Sequence, residues 1–317
     1  MMILAALGMV KNIQNVSLQV AILFILIAVG FICRKVGILT EAGIKSISDL
    51  VVYVVTPANI ITAFHREFRA DLLIGLGKAF LLAFLVYGAA TVLARFVIRE
   101  KDEDKRSVLR FAAAYPNAGY MGIPLQRAIL GDIGVFYCAA YIGMFHMYVW
   151  TVGVYLLSGS RKEISIRKIL TSPCILAILA GLILFFLPVE LPTVIMSPLQ
   201  SLASLATPLP MIVIGYHLAG SDPKAIFGNR WIYVAMAVKM IFSPLLALAL
   251  CLLFGCDHNM AVSCLIACSA SSAAMSTMLA TKYNRNAPVS AAVVSFTTIM
   301  AIVFMPVFVA LAGYCVP

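Results

Sequence analysis

Ten apolar runs of about 20 residues follow one another through this chain and are separated by short polar connectors. About 20 apolar residues is the length at which an α-helix crosses a bilayer, whereas a barrel strand needs about ten alternating residues. The runs therefore predict an all-α polytopic membrane protein with ten transmembrane helices. We place the spans at 15–33, 46–64, 72–97, 107–130, 133–157, 169–187, 194–219, 231–254, 260–283 and 287–313.

The composition supports this class, since 63% of the 317 residues are hydrophobic and only 11% are charged. A soluble monomer of this composition would expose large apolar patches. Residues 1–10 are too short to span and are followed by no small-residue cleavage site, so we expect no signal peptide. An integral membrane protein embedded in the lipid bilayer is predicted.

The net charge of +10 comes from lysines and arginines in the connectors, and no basic recognition face is visible. We therefore expect no nucleic-acid partner. Connectors after odd-numbered spans contain seventeen of these residues, including Lys224, and the opposite side contains four. Because cytoplasmic loops carry the excess of Lys and Arg, both termini are predicted to lie outside the plasma (inner) membrane.

The midpoint of the chain divides the spans into two groups of five, which predicts halves at 1–157 and 169–317 joined by a cytosolic connector at 158–168. Since five is odd, a duplicated half would lie upside down, as in many secondary transporters. The halves share the Thr-Pro pairs Thr56-Pro57 and Thr207-Pro208 and the intramembrane lysines Lys78 and Lys239. We expect both prolines to break their helices.

The fourth predicted span contains a dense group of helix-breaking residues, Pro116, Gly119, Gly122 and Pro124. Prolines remove backbone donors and glycines permit non-helical dihedral angles, so the helix is predicted to unwind there. Non-helical backbone at membrane depth must face protein or a watery cavity. The half-helix after the break would point amide groups at an anion, and Asn117 adds a polar side chain. A proline-kinked packing helix is the alternative.

This segment, PNxxxMGIPL at 116–125, closely resembles the helix-4 motif of the auxin efflux carrier family, whose members include carriers of small organic acids. Further segments resemble the family in matching order, at 34–57, 211–220 and 279–284. The resemblance implies a 5+5 inverted repeat in which broken helices 4 and 9 cross at mid-membrane. It also implies a scaffold of helices 1, 2, 6 and 7 and a moving transport domain of helices 3–5 and 8–10.

The ninth span departs from the family pattern, because Ser271 stands near the position of the usual proline. The segment 268–276 contains neither proline nor glycine, but it contains Ser269, Ser271 and Ser272. Serine hydroxyls can bond freed carbonyls, which is compatible with a break. A continuous helix with small packing residues is the alternative.

Ionisable groups inside the spans are few. His146, half-way along the fifth span, is suited to bind a substrate carboxylate or to serve as an interhelical hydrogen-bonding residue. We expect His217 to be structural, and Lys78 and Lys239 to extend to the membrane interface.

All thirteen Asp and Glu residues lie in connectors or near helix ends. Sodium sites favour carboxylate oxygens, so sodium coupling is not expected. The eight cysteines show no metal-binding spacing, and we predict no metal site and no cofactor.

The favoured function is secondary transport of a small organic anion, a carboxylate, by an elevator-like alternating-access movement. The predicted substrate-binding residues are Asn117, Gly119, Tyr120, Gly122, His146, Ser269, Ser271 and Ser272. The alternatives are a sodium-coupled symporter of the bile-acid type and, less favoured, a membrane receptor or channel. No nucleophile–base motif is present, so an enzyme is not predicted. The sequence is compatible with a homodimer.

Overall fold

The computed structural model describes residues 2–187, 190–220 and 228–316, and the regular elements in these ranges are helices. Seven of the described helical segments are long and apolar enough to cross a membrane. The chain is therefore an all-α, multi-pass membrane protein. Lys224, one of the connector charges, lies outside the described residues.

We number the main helices in chain order. They are α1 (Met2–Lys35), α2 (Glu41–Phe64), α3 (Ala70–Val97), α4 (Glu103–Ala114), α5 (118–130), α6 (Asp132–Ser158), α7 (Pro173–Phe186), α8 (Thr193–Ser204), α9 (Pro208–Ala219), α10 (Arg230–Leu253), α11 (His258–Ser269), α12 (Met275–Lys282) and α13 (Ala287–Cys315). The first helix begins at Met2, earlier than the predicted residue 15.

Short polar side chains cap several helix starts, as their sequence positions favour. The caps are Thr40 for α2, Asp102 for α4, Asp257 for α11 and Asn286 for α13. Asp102 Oδ1 accepts the backbone N–H groups of Asp104 at 2.9 Å and Lys105 at 3.2 Å. The backbone N–H of Lys105 is the main reason that the pKa of Asp102 lies below its usual value.

The structure differs from the predicted breaks at Pro57 and Pro124. Each proline lies in a continuous helix as the second residue after a π-helical turn, and Pro244 repeats the arrangement. The residue before each proline donates its N–H to the carbonyl five residues earlier, as Thr56 does to Val51. The wider turn makes room for the proline ring, so the helix continues where an ordinary α-turn would clash.

Three short interruptions separate successive helices within predicted spans, at 115–117, 205–207 and 270–274. Pro116 lies inside the first, and Pro208 begins the helix after the second. The third contains no proline.

The helices pack in two groups, which also contact each other where α1 meets α13 and α2 meets α6. In the first group α1 crosses α9 so tightly that a Cβ added at Gly30 or Gly215 would collide with the backbone of the opposite helix. In the same group α2 and α8 pack together, and Gly181 of α7 lies against the ring of Phe64. In the second group α3 packs on α6, and α11 packs between α6 and α13. The first and third interruptions both belong to the second group.

Candidate binding site at two helix interruptions

The interruptions at 115–117 and 270–274 meet each other. Pro116 and Ser272 form an isolated antiparallel bridge. The backbone N–H of Asn117 donates to the carbonyl of Ser271 at 2.7 Å, and the N–H of Ala273 donates to the carbonyl of Tyr115 at 3.0 Å. Each interruption therefore supplies hydrogen-bond partners that the other has lost, as non-helical backbone in a membrane protein requires.

The three predicted serines lie in or next to this bridge and are fully buried. The Ser269 hydroxyl donates to the carbonyl of Leu265 at 2.6 Å, and the Ser272 hydroxyl donates to the carbonyl of Ala112 at 2.8 Å. The Ser271 hydroxyl has no hydrogen-bond partner within the described ranges. Two of the serines thus bond carbonyls near helix ends, which stabilises an interruption that lacks proline.

A cavity of about 80 Å³ lies beside the bridge. Four of the predicted site residues, Asn117, Gly119, Tyr120 and His146, contribute to its wall. The rest of the wall consists of Val52, Thr56, Pro116, Ala118, Ile142, Phe145, Cys174, Ala273, Ala274 and Met275. From the third interruption the cavity therefore receives apolar side chains at 273–275, and the three serines are not part of its wall.

Asn117 caps the helix that restarts after the first interruption. Its side-chain oxygen accepts the backbone N–H of Tyr120 at 3.4 Å. No protein acceptor for its amide nitrogen occurs among the described residues, although the side chain is only 6% exposed. Because Asn117 also lines the cavity, this nitrogen is available to a bound molecule.

His146 approaches the same cavity from α6. It is buried, and its Nδ1 atom has no hydrogen-bond partner in the part of the chain that the structure describes. A buried polar atom without a partner is unfavourable by about 1–3 kcal/mol, so such atoms usually contact water or a ligand. His146 and Asn117 are therefore the two side chains best placed to bind a polar ligand.

Asn117, Tyr120 and Ala274 line both this cavity and a smaller one of about 20 Å³. Tyr120 also contacts α2. Its hydroxyl donates to the carbonyl of Ser48 in α2 at 3.2 Å. The smaller cavity is lined from α9 and α13 by residues that include His217, Ser295 and Thr298. Ser295 and Thr298 were not predicted as site residues, because no sequence motif in α13 marks them.

Gly122 and Lys239 lie in surroundings that differ from those predicted. Gly122 lies outside both cavity walls, where a Cβ would be 3.8 Å from the sulfur of Cys138. Lys239 is fully buried, and its Nζ donates to the carbonyl of Cys268 at 2.6 Å, so it does not extend to the interface as expected. The carbonyl groups near the C-terminal end of α11 carry partial negative charge and lie within hydrogen-bond distance of this ammonium group, so they stabilise it in its buried position. Lys78 is half-buried and donates to the carbonyl of Phe254 at 3.0 Å.

The sequence profile of a family described as membrane transport protein matches residues 15–309. The chain belongs to this family, the auxin efflux carrier family. It is 28% identical over 300 residues to an uncharacterized transporter of Methanocaldococcus jannaschii, covering 88% of this chain and 93% of the relative.

Two further relatives agree with this family. The chain is 24% identical over 294 residues to an uncharacterized transporter of Methanothermobacter thermautotrophicus, covering 90% of this chain and 94% of the relative. It is 25% identical over 240 residues to a protein of Rhizobium meliloti that is provisionally named a malonate transporter, covering 70% and 72% of the two chains. The family and these relatives identify a membrane transporter.

Proposed function

We propose that this auxin efflux carrier family member is a secondary transporter that binds a small organic anion in the cavity between Asn117 and His146. One observation carries the proposal: buried Asn117 and buried His146, whose Nδ1 atom has no partner among the described residues, line one small cavity beside the start of an interrupted helix. That helix start directs backbone N–H groups and the positive end of its dipole toward a bound anion, which favours a carboxylate.

The size of the cavity favours a short acid. A water molecule needs about 10–15 Å³ of cavity volume, so the volume of about 80 Å³ holds several water-sized groups. A three-carbon dicarboxylate such as malonate is of this size. The Rhizobium relative named for malonate transport supports the same class of substrate.

The proposal includes a 5+5 inverted repeat with halves at 1–157 and 169–317, the interrupted helices crossing at mid-membrane, and both termini outside. The scaffold would comprise α1, α2 and α7–α9, and the remaining helices would form an elevator-like transport domain. Packing of α1 on α9 and of α2 on α8 within the scaffold, and of α3 and α11 on α6 within the transport domain, supports this division. Polar contacts between the groups are few: Tyr120 bonds Ser48, and the guanidinium of Arg127 donates to the Asn59 side chain.

We also propose that transport does not require sodium. The cavity wall contains no carboxylate among the described residues, and sodium sites generally use such oxygens. A sodium-coupled symporter is the alternative, and the same experiment distinguishes the two.

The test is uptake of radiolabelled malonate into liposomes that contain the purified protein, at a fixed membrane potential. We expect saturable uptake, competition by other short carboxylates, weak competition by bulky aromatic acids, and little change when sodium is replaced by a bulky organic cation. Protein-free liposomes and liposomes with Asn117→Asp are the controls. Absence of uptake and of binding for every short carboxylate would contradict the proposed substrate class, whereas steep sodium dependence would contradict only the coupling.

A further inference from the structure

A separate shallow cavity, widely open to the surface, lies at the junction of α3 and α4, on the side that the charge distribution predicts to be cytosolic. Its volume is about 520 Å³. Seven residues line it: Arg95, Phe96, Arg99, Glu100, Lys101, Arg106 and Arg110. Five of these side chains are cationic and one is acidic, so the cavity is strongly positive.

The single carboxylate does not neutralise this charge. Glu100 Oε1 accepts the backbone N–H of Lys101 at 2.8 Å, and Oε2 accepts the side-chain amide of Asn229 at 3.2 Å. Neither Arg95 nor Lys101 forms an ion pair with any described residue. Their charges are therefore available to an external anion.

Two other arginines hold the wall in position. Arg110 donates to the carbonyls of Arg95 at 2.8 Å and Ile98 at 2.9 Å, and Arg106 donates to the carbonyl of Glu100 at 3.0 Å. These half-buried side chains bond one carbonyl in the last turn of α3 and two in the connector that follows it. They are structural, whereas Arg95, Arg99 and Lys101 are exposed.

An apolar stripe on α3 leads to this cavity. It consists of Leu81, Phe84, Val92 and Phe96, which are between 43% and 65% exposed. At 100° per residue these four side chains lie on one face of the helix, and Arg95 in the last turn lies on the same face. Arg99 follows two residues after the helix ends at Val97. Phe96 belongs both to the stripe and to the cavity wall. The surface thus changes from lipid-facing to basic along one line.

We propose that this cavity binds the phosphate of an anionic phospholipid headgroup, with the acyl chains lying along the stripe. Basic pockets at the cytoplasmic ends of transmembrane helices suit anionic headgroups, and Arg forms paired hydrogen bonds with phosphate oxygens. The apolar stripe is the reason to assign a lipid instead of a free anion. A bound lipid would connect the cytosolic ends of α3 and α4, the helix that precedes the first interruption.

The test measures binding of phosphatidylglycerol to the full-length protein in detergent by native mass spectrometry, with phosphatidylcholine and glycerol phosphate in parallel. We expect phosphatidylglycerol to bind and the other two to bind at least tenfold more weakly. Each basic side chain contributes about 1 kcal/mol near an anionic headgroup. The double variant Arg95→Gln/Lys101→Gln should therefore bind phosphatidylglycerol about 30-fold more weakly.

The control is Lys162→Gln/Arg167→Gln, which removes two exposed charges from another connector on the same predicted side and should leave the affinity unchanged. If the double variant does not fold, each single variant should weaken binding about fivefold. Equal weakening in the control, or unchanged affinity in the cavity variants, would overturn the site. Equal binding of phosphatidylcholine or of glycerol phosphate would overturn the assignment to an anionic lipid.

Discussion

The backbone N–H of Asn117 donates to the carbonyl oxygen of Ser271 at 2.7 Å and so joins two helix interruptions that lie far apart in the sequence. Since this link uses only backbone atoms, substitution of the Asn117 side chain leaves it in place. The role of the Asn117 side chain in binding can therefore be tested separately from the backbone link.

We expect Asn117→Ala to weaken binding of the anion by about 1–3 kcal/mol, because a hydrogen bond to a charged group is lost. It should also destabilise the fold by about 1 kcal/mol, since alanine does not cap a helix. Asn117→Asp keeps the cap and the stability but places a negative charge against the substrate, so its binding should be weaker still. Calorimetric titration with malonate and thermal unfolding check both variants. Normal affinity in both would leave Asn117 with a purely structural role.

For His146→Phe we expect unchanged or higher thermal stability and at least tenfold weaker substrate binding. The substitution removes a buried Nδ1 atom that has no partner within the described ranges, so the fold loses no hydrogen bond there. The matched control is His258→Phe, because His258 Nδ1 lies 2.9 Å from the carbonyl of Val316, away from the cavity. This control should lower stability and keep the affinity. The opposite pattern in His146→Phe would identify a structural histidine.

Arg285 lies in the connector between α12 and α13, and its side chain bonds residues of α6 and α4. Its Nε donates to the carbonyl of Leu157 at 2.6 Å, its Nη1 donates to Asp104 at 2.6 Å, and its side chain is 17% exposed. Arg285→Met should lower the free energy of unfolding by about 2–4 kcal/mol, because charged hydrogen bonds are lost and a carbonyl loses its partner.

Arg285→Lys should restore only part of this stability, because an ammonium does not reproduce the planar fork of a guanidinium. The comparison is Arg167→Met at an exposed position, for which we expect almost no change. Thermal unfolding in one detergent gives all three values. A change of less than about 0.5 kcal/mol in Arg285→Met, as expected for ordinary surface substitutions, would show that these contacts contribute little.

The membrane orientation can be tested by cysteine labelling. Of the native cysteines, six are buried, and Cys33 and Cys315 are partly exposed. In a Cys33→Ser/Cys315→Ser background, Lys101→Cys should react with an impermeant maleimide only from the cytosolic side, and Glu67→Cys only from outside. Reaction of both from one side would contradict the predicted topology.

The sequence alone determined the class of this protein, because span length and the density of prolines and glycines are local properties of the chain. The apolar runs require membrane-spanning helices, and Pro116 lies inside an interruption because the chain loses a backbone donor there. The same local reasoning misjudged Pro57 and Pro124, since a proline is equally compatible with a π-turn that lets the helix continue.

Only the tertiary structure decided which side chains share a cavity. The serines at 269, 271 and 272 are buried outside the cavity wall, whereas Ala273 and Ala274 line the cavity, although all five are small residues of one short segment. Lys239 bonds a carbonyl of α11, a partner that no local pattern in α10 specifies. The physical reason is that a polar side chain takes the partner that three-dimensional packing brings within hydrogen-bond distance, and in this fold those partners come from helices far apart in the sequence.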